Sequence, residues 1–434
     1  MRVSVIPHDG PDCGWYATLS PPGPARRLQG RHETEWAVVG AGFTGLAAAR
    51  RVAEHQPGAR VLLIEAQSVG LGASGRNSGF VVELGRYHER FGPEINRRLV
   101  RLGRAGIDRL RQLVRQHGIE CQWQEGGRLH VAVGDRGRRS LDLLCRRMQE
   151  IGEPCQRLDA QTIAGITGTT YYCAAAHTPG DVQVQPAALV RGLAASLPMN
   201  VELYEDSPVH AAEFGQCARL ECPQGSVRAR RLLLATNAFT PAWGLLRRRV
   251  FPMLTFGSLT RPLRDRERAA LGGQPEWGLI SAERVGCSVR RTRDGRILIR
   301  SMACYGYQIS PNSHRFARIR QSHQELLRAR FPALRELQIE YTWGGVMSMS
   351  ANEAPYFGQP KPGIFVLAGD NGHGIAMATA AGELLADLAV GYHSNLLDDL
   401  QQLPAPSWLP PNPLLRLGVQ ATSHLMHWRA RSEL

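Results

Sequence analysis

Three glycines at 40, 42 and 45, a glutamate at 65 and a histidine between two glycines at 373 are the residues whose types and spacing point to chemistry. Gly40-Ala41-Gly42-Phe43-Thr44-Gly45 follows the strand-like stretch 35–39, apolar from Trp36, and leads into the small residues Ala47, Ala48 and Ala49. In that order Gly40 allows a tight turn, Gly42 lets an anion reach the backbone, and Gly45 lets a helix pack on the strand before it. A helix starting there offers unpaired N–H groups and a positive dipole end to a pyrophosphate. Glu65 stands twenty residues beyond Gly45, at the end of the apolar run Val61-Leu-Leu-Ile64. A carboxylate there accepts hydrogen bonds from both ribose hydroxyls and repels a 2′-phosphate. Together these residues specify an ADP moiety, which NAD and FAD share.

Three further segments bear on that choice. The stretch 70–79 (GLGASGRNSG) is a second loop of Gly, Ser and Asn, more than a plain nicotinamide unit needs. Leu234-Ala235-Thr236-Asn237 breaks a buried strand into a small polar turn. Gly369-Asp370-Asn371-Gly372-His373-Gly374-Ile375 follows another apolar run and opens another helix. Its N-terminus would stabilise negative charge on the pyrimidine edge of a reduced flavin.

Alternation and periodicity define the elements that must position these residues. The predicted unit is strand 35–39, loop 40–45, helix 46–56 ended by Pro57-Gly58, and strand 61–65, apolar throughout as a parallel strand buried on both faces should be. Further strands are expected at 126–133, in a hairpin over 217–234, at 297–300, 339–343 and 364–368, with helices at 136–151, 186–197 and 374–390. Residues 1–30, with Pro7, Pro11, Pro21, Pro22 and Pro24, read as an irregular arm. A Pro-rich linker at 404–413 precedes an amphipathic stretch carrying Leu414, Leu417, Ala421, Leu425 and Trp428. Its charge is limited to Arg416, Arg429 and Arg431, too little for stable membrane anchoring, so docking onto its own protein is expected.

The 434 residues bear a net charge of +14, and Lys361 is the only lysine among the 52 basic residues. The arginines are spread along the chain. In 95–115 they fill the face opposite Ile95, Leu99, Leu102, Leu110, Leu113 and Val114, which reads as a solvated helix surface. With no zinc-finger spacing and no basic coiled-coil region, no nucleic-acid partner is expected. Nine cysteines without a CxxC argue against a disulfide framework or a zinc site and fit a reducing cytoplasm. Pro7, His8 and Asp9 interrupt any signal-peptide apolar region, and no apolar run approaches the roughly 20 residues of a membrane span. The expected location is cytoplasmic, and no metal site is expected.

On GAGFTGL (40–46), EAQSVGLGASGRNSG (65–79), ATNAF (235–239), WGGVMSMSANEAPYFG (343–358) and GIFVLAGDNGHGIAMATAAGELLADL (363–388), the chain resembles the flavin-dependent amine oxidoreductases of the D-amino-acid oxidase, sarcosine oxidase and glycine oxidase superfamily. Within it the chain is most similar to the gamma-glutamylputrescine oxidase branch, down to Trp15-Tyr16 in the arm. The resemblance implies an α/β fold: a Rossmann-like FAD-binding domain of glutathione-reductase type, with an interleaved α+β substrate domain on a mixed sheet. The implied division is 31–118, 179–245 and 341–400 for FAD and 119–178 and 246–340 for substrate, flanked by the arm 1–30 and the tail 401–434. It places FAD on Gly40, Gly42, Phe43, Thr44, Gly45, Glu65 and Ala66, on Gly72, Ala73, Ser74, Arg76, Asn77 and Ser78, on Val209 at adenine, on Thr236 and Asn237, and on Gly372, Gly374, Ile375 and Ala376. Relatives with covalent flavin use a cysteine in the stretch matching 345–352 or a histidine near the first glycine loop. Neither residue is present, so FAD is expected to be non-covalent. Some oxidases among these relatives place a lysine over the flavin to promote reaction with oxygen, and Lys361, in a Pro-Lys-Pro-Gly loop, is poorly placed for that, which leaves oxygen or another acceptor open.

The implied reaction is amine oxidation, a hydride leaving the carbon next to nitrogen for flavin N5 to give an imine that hydrolyses. The implied substrate is a small-molecule amine, gamma-glutamyl-polyamine-like or an N-substituted amino compound. Alternatives are an amino-acid oxidase or dehydrogenase acting on a free carboxylate, and a flavoprotein without amine turnover. Phe256, Trp343 and Met347, with Met349 and Tyr307, are candidates for the apolar wall of the substrate site, each equally readable as ordinary core. His373 is the candidate catalytic side chain, to stabilise flavin charge or relay a proton. The alternative is that only its backbone matters. No single arginine stands out as a carboxylate ligand.

Overall fold

A computed structural model describes residues 1–10, 12–308 and 313–430, so Pro11 and Arg431 lie outside the described residues. Two eight-stranded sheets organise the chain. The first is centred on strand Gly30–Val39, which pairs in parallel with Gly225–Leu234 on one side and Val61–Ile64 on the other. Val201–Tyr204 extends it beyond Val61–Ile64, and Ile364–Ala368 extends it beyond Gly225–Leu234, both in parallel. All four residues of Val61–Ile64 are buried, Val61 and Leu63 in the core under the helices and Leu62 and Ile64 in a second core with Val3, Leu28, Ala212 and Leu220 on the opposite face. The central strand begins at Gly30 rather than 35, as its first half pairs with the long hairpin strand. The hairpin itself, Ala218–Cys222 with Gly225–Leu234, forms where alternation placed it.

The helix after the first turn, Phe43–His55, starts three residues earlier than its apolar periodicity suggests. Gly42 is its extended N-cap, so Phe43 already lies in the first turn. It packs against the helix Ala376–Val390, where Gly382 approaches the Thr44 carbonyl so closely that a Cβ would come within 2.4 Å. The long helix Gly92–His117 crosses the same region and ends at Gly118 in the left-handed conformation. Its Gly106 lies against the Ala376 carbonyl, with room for no side chain. Small residues thus let three helices stack on one face of the sheet.

The second sheet runs Ile339–Met349, Phe251–Thr260, Ile297–Tyr305, Ser288–Arg291, Trp277–Ser281, Arg128–Ala132, Ala174–Thr178 and Gln156–Asp159. It is antiparallel except where Trp277–Ser281 meets Arg128–Ala132, so it is mixed. Its edge strand Ile339–Met349 carries residues 341–349, placed with the flavin segments in the sequence reading, into this second sheet. The arm is not wholly irregular. Gly14–Ala17 is a short helix, and Arg2 bridges Ala211 at the edge of the first sheet.

The C-terminal helix Leu414–Arg429 touches strand Ile297–Tyr305. It does so with a different face from the one expected. Leu414, Leu417, Leu425 and Trp428 remain exposed, while the partly buried Leu415, Val419, Ser423 and Met426 form the inward stripe. No helix among the described residues is long and apolar enough to cross a membrane.

Candidate active site

The carboxyl ends of the central strands converge on one cleft of about 1000 Å³, at the upper end of small-molecule sites. Its nucleotide end is built on the first glycine turn. Gly40 takes φ +99°, and a Cβ there would lie 2.7 Å from the Ala235 carbonyl. Gly45 is packed more tightly still, with a Cβ position 1.7 Å from the Gly40 carbonyl. It therefore shapes the turn from behind and does not line the cleft. Gly42, Phe43 and Thr44 do line it, at the helix start. Phe43 N donates to Ser74 Oγ at 3.2 Å, tying that helix start to the second loop.

Glu65 lines the same end. Its Oε2 accepts from Ala41 N at 2.7 Å and Oε1 from Gln67 N at 3.2 Å. Burial raises its carboxyl pKa, and those backbone N–H groups oppose the shift. A carboxylate has about four acceptor positions, so capacity remains for hydroxyl donors. Ala66 and Val209 also line this end.

The second loop is held from outside by its carbonyls. Trp15 Nε1 donates to Asn77 O at 2.8 Å, Trp343 Nε1 to Arg76 O at 2.9 Å, and Arg290 Nη1 to Ser78 O at 2.7 Å. Gly72, Ala73, Ser74, Asn77 and Ser78 consequently face the cleft. Arg76 lines it too, but its guanidinium is engaged elsewhere. Nε donates to Leu71 O at 2.5 Å, Nη1 to Gly344 O at 3.0 Å, and Nη2 to Gly10 O. It acts as a clamp joining the arm, the loop and the second sheet.

The third turn closes the far end. Asn237 Oδ1 accepts from Gly369 N at 3.2 Å, and Asn371 N donates to Ser348 O at 2.9 Å. Thr236, Asn237, Gly372, His373, Gly374 and Ile375 line the cleft, whereas Ala376 is buried behind it. The His373 ring lies against Gly85, where a Cβ would come within 1.9 Å of it, and edge-on to His88 at 6.5 Å. Burial first, then the charges on His88, Arg86, Arg128 and Arg300, hold His373 well below the usual histidine pKa. It is neutral at physiological pH, a hydrogen-bonding group and not a cation.

The substrate-side candidates divide. Met347 and Met349 line the cleft. Phe256 does not: it packs with Leu254, Cys304, Ile319 and Val346 and meets Phe316 edge-on at 6.5 Å. Trp343 is only 2% exposed, covered by Gly14 and Trp15 of the arm. Tyr307 stacks on Phe239 at 5.2 Å. Lys361 ends the edge strand Tyr356–Lys361, with its ammonium 5.5 Å from the Phe214 ring, and is not part of the cleft wall.

Sequence reasoning missed two groups of cleft residues. Val3, Val5, Ile6 and Pro7 of the arm cover the nucleotide end. They are held there because Val3 N donates to His210 O at 2.9 Å and Asp9 N to Gln67 Oε1 at 3.0 Å. Arg300, Ser301, Met302, Arg284, Arg86 and His88 line the other end. No local motif marks either group. Among the described residues no cluster of side chains could hold a metal ion.

Comparison with known proteins agrees with this architecture. The profile of the family described as DAO, FAD dependent oxidoreductase, matches residues 35–388. Probable oxidoreductase OrdL of Haemophilus influenzae is 26% identical over 372 residues, 82% of each chain. Gamma-glutamylputrescine oxidoreductase of Escherichia coli is 27% identical over 364 residues, covering 82% of this chain and 83% of that one. The crystal structure of glycine oxidase from Geobacillus kaustophilus superposes with a TM-score of 0.71 at 22% identity, over 84% of this chain and 96% of that one.

Proposed function

The chain belongs to the DAO family of FAD-dependent oxidoreductases, and on that premise we propose that it oxidises a small amine or amino acid at the carbon next to nitrogen, with non-covalent FAD in the cleft. The observation that carries the proposal is the continuity of that cleft. It runs from the Gly42–Thr44 helix start, past Ser74 and Asn77, to Met347 and His373.

FAD fits the residues present. Gly42 leaves a cradle that a Cβ would fill, Glu65 offers acceptors for ribose, and two helix starts converge on the cleft. Gly42, Phe43, Thr44 and Ser74 would hold the diphosphate, Glu65 the ribose, and Gly372–Ile375 the pyrimidine edge. Bound FAD supplies the two-electron acceptor for the departing hydride. The protein's own work is positioning. Met347 and Met349 provide an apolar wall that excludes water and orients the reacting carbon. His373 stays neutral and can accept or donate a hydrogen bond without repelling an amine. Lys361 has no part in the reaction with an electron acceptor. The substrate side follows the relatives only in class, a gamma-glutamyl-polyamine-like or N-substituted amino compound.

Anaerobic flavin bleaching against amines, amino acids and 2-hydroxy acids, followed by admission of air, tests substrate class and acceptor together. Amines or amino acids should bleach the flavin and hydroxy acids should not. Bleaching by a hydroxy acid alone would overturn the amine reading.

A further inference from the structure

Ten residues apart in the chain, Cys145 and Cys155 bring their sulfurs to 2.9 Å as two free thiols. A local turn makes the approach. Cys145 lies toward the end of helix Asp135–Glu150, which closes with Ile151 N on Arg147 O at 3.3 Å, Gly152 N on Gln149 O at 3.1 Å and Glu153 N on Met148 O at 2.9 Å. Gly152 takes φ +82°, the left-handed conformation that reverses the chain, and Glu153-Pro154 then return Cys155 to the side of the helix. Cys155 leads directly into the edge strand Gln156–Asp159, which its pairing with Ala174–Thr178 holds in place. Arg104 of helix Gly92–His117 ties down the turn itself at Glu153, 2.8 Å away.

The other cysteines stand differently. Cys13, Cys121, Cys222, Cys287 and Cys304 are buried, and Cys173 and Cys217 are partly exposed. Among the described residues no second pair of sulfurs is in contact. Cys145 and Cys155 are both partly exposed, so a small oxidant can reach them. Burial first, then the hydrogen bond with Cys145, push the Cys155 thiol up to about 12. Cys155 therefore keeps its proton and donates it, and the Cys145 sulfur is the acceptor and the nucleophile of the pair. The helix that carries Cys145 also belongs to the cleft, whose wall includes its Ser140, Leu143, Leu144 and Arg147.

We propose that Cys145 and Cys155 form a reversible thiol–disulfide site, oxidised by hydroperoxides, whose bond fastens the cleft-lining helix Asp135–Glu150 to the edge strand Gln156–Asp159. The Cys145 sulfur attacks one peroxide oxygen as the thiolate. The O–O bond breaks, the departing oxygen takes up the proton that Cys145 gave up and leaves as water or alcohol, and Cys145 becomes a sulfenic acid. The Cys155 sulfur then attacks the Cys145 sulfur. The S–S bond forms, the S–O bond breaks, and the hydroxyl leaves with the Cys155 proton as water. Two thiols thus lose two electrons to one hydroperoxide, and a thiol reductant restores them. The bond closes a short loop and removes the arrangements in which the helix end parts from the strand. The site needs nothing from the cofactor, so it stands apart from the reaction in the cleft. One local pair is also compatible with scattered cysteines, which exclude only a framework of bridges.

The test uses the full-length protein, reduced, freed of reductant and titrated with hydrogen peroxide. Remaining thiols are alkylated and the peptides mapped without reduction. The expected product is one intramolecular bond joining the Cys145 and Cys155 peptides, lighter by two hydrogens than the reduced pair and reversed by dithiothreitol. It should form before any other cysteine is modified. Cys155→Ser should stop at a Cys145 sulfenic acid that dimedone traps, Cys145→Ser should leave Cys155 unmodified, and Cys173→Ser should behave as wild type. Where a variant fails to fold, the wild-type map decides alone. Amide exchange over 141–155 should slow about tenfold or more in the oxidised protein, because a closed short loop has fewer open states. A bond to Cys173, a bond between two chains, or sulfinic acids in place of a bond overturns the site. The expected bond with unchanged exchange overturns the fastening of the helix.

Discussion

Replacing Gly42 separates the two things a small residue does at that turn. Its backbone, at φ −80° and ψ −173°, is open to any residue. A Cβ would meet only Ser74 Oγ, at 2.6 Å, the end of a side chain that can rotate. Gly42→Val should therefore cost the fold about 1–3 kcal/mol, the usual cost of inserting extra carbons into a packed site. For FAD the consequence is larger. The branched side chain stands between the diphosphate and the N–H groups of the first helical turn, which have no intrahelical acceptors. Losing two charge-assisted hydrogen bonds of about 1.5–3 kcal/mol each weakens binding by roughly 3–6 kcal/mol, or about 10²- to 10⁴-fold in Kd. Flavin-to-protein absorbance ratio and fluorescence titration of the apoprotein read this directly, with thermal melting as the control for folding. Ser74→Ala added to Gly42→Val relieves the only close protein contact. Recovery of full FAD affinity in that double variant would show that a displaced Ser74, not an obstructed phosphate, caused the loss. Full flavin occupancy in Gly42→Val itself would refute the assignment of this loop.

The purified protein should be yellow, and acid or heat should release FAD intact, whereas flavin remaining on the denatured chain would refute non-covalent binding. Lys361→Met should leave reoxidation of reduced flavin by oxygen unchanged, since its ammonium sits on Phe214 at a sheet edge; a large loss with amine reduction intact would show that Lys361 reaches the cleft. His323 is fully buried, bonded through Nδ1 to Ser258 Oγ at 2.8 Å, and burial lowers its pKa to about 4. Between about pH 6.5 and 4 the unfolded chain binds a proton there that the folded chain does not, so stability falls as pH drops, by roughly 3 kcal/mol over that window. Urea unfolding at pH 7 and 4.5 should show a smaller acid loss in His323→Phe than in wild type, and equal losses would refute the buried neutral state.

What could be read in the sequence was what is local. The glycine turns, the strand ahead of each and the helix after each are contiguous, so spacing alone located Gly40, Glu65 and the Gly372 turn. Side-chain direction on the second sheet is a different matter. On Phe251–Thr260 the cleft takes Met253, Thr255 and Gly257, so alternation turns Phe256 to the opposite face, under helix His314–Arg330. Trp343 has the same parity as the cleft residues Gly345, Met347 and Met349. It is lost to the cleft because Gly14 of the arm lies on it, where a Cβ would come within 3.0 Å of the indole. Nothing in a proline-rich arm announces where it will lie, and the same arm supplies Val3, Val5, Ile6 and Pro7 to the nucleotide end.

The arginines show most clearly why type and spacing run out. Lys361 is the only lysine among 52 basic residues, so an arginine at a given position carries almost no information by itself. What distinguishes them is the partner each finds in space. Arg76 and Arg290 are taken up by backbone carbonyls that hold the second loop, and Arg128 by the buried carboxylate of Asp181. Those guanidiniums, unable to turn to a ligand without abandoning a buried acceptor, are structural. Arg300 meets no carboxylate among the described residues, and its Nη2 lies 3.9 Å from Met347 Sδ. A cation left in that state is costly to keep inside a protein. Which arginines are structural and which stand without a carboxylate is therefore legible only in the folded arrangement of partners.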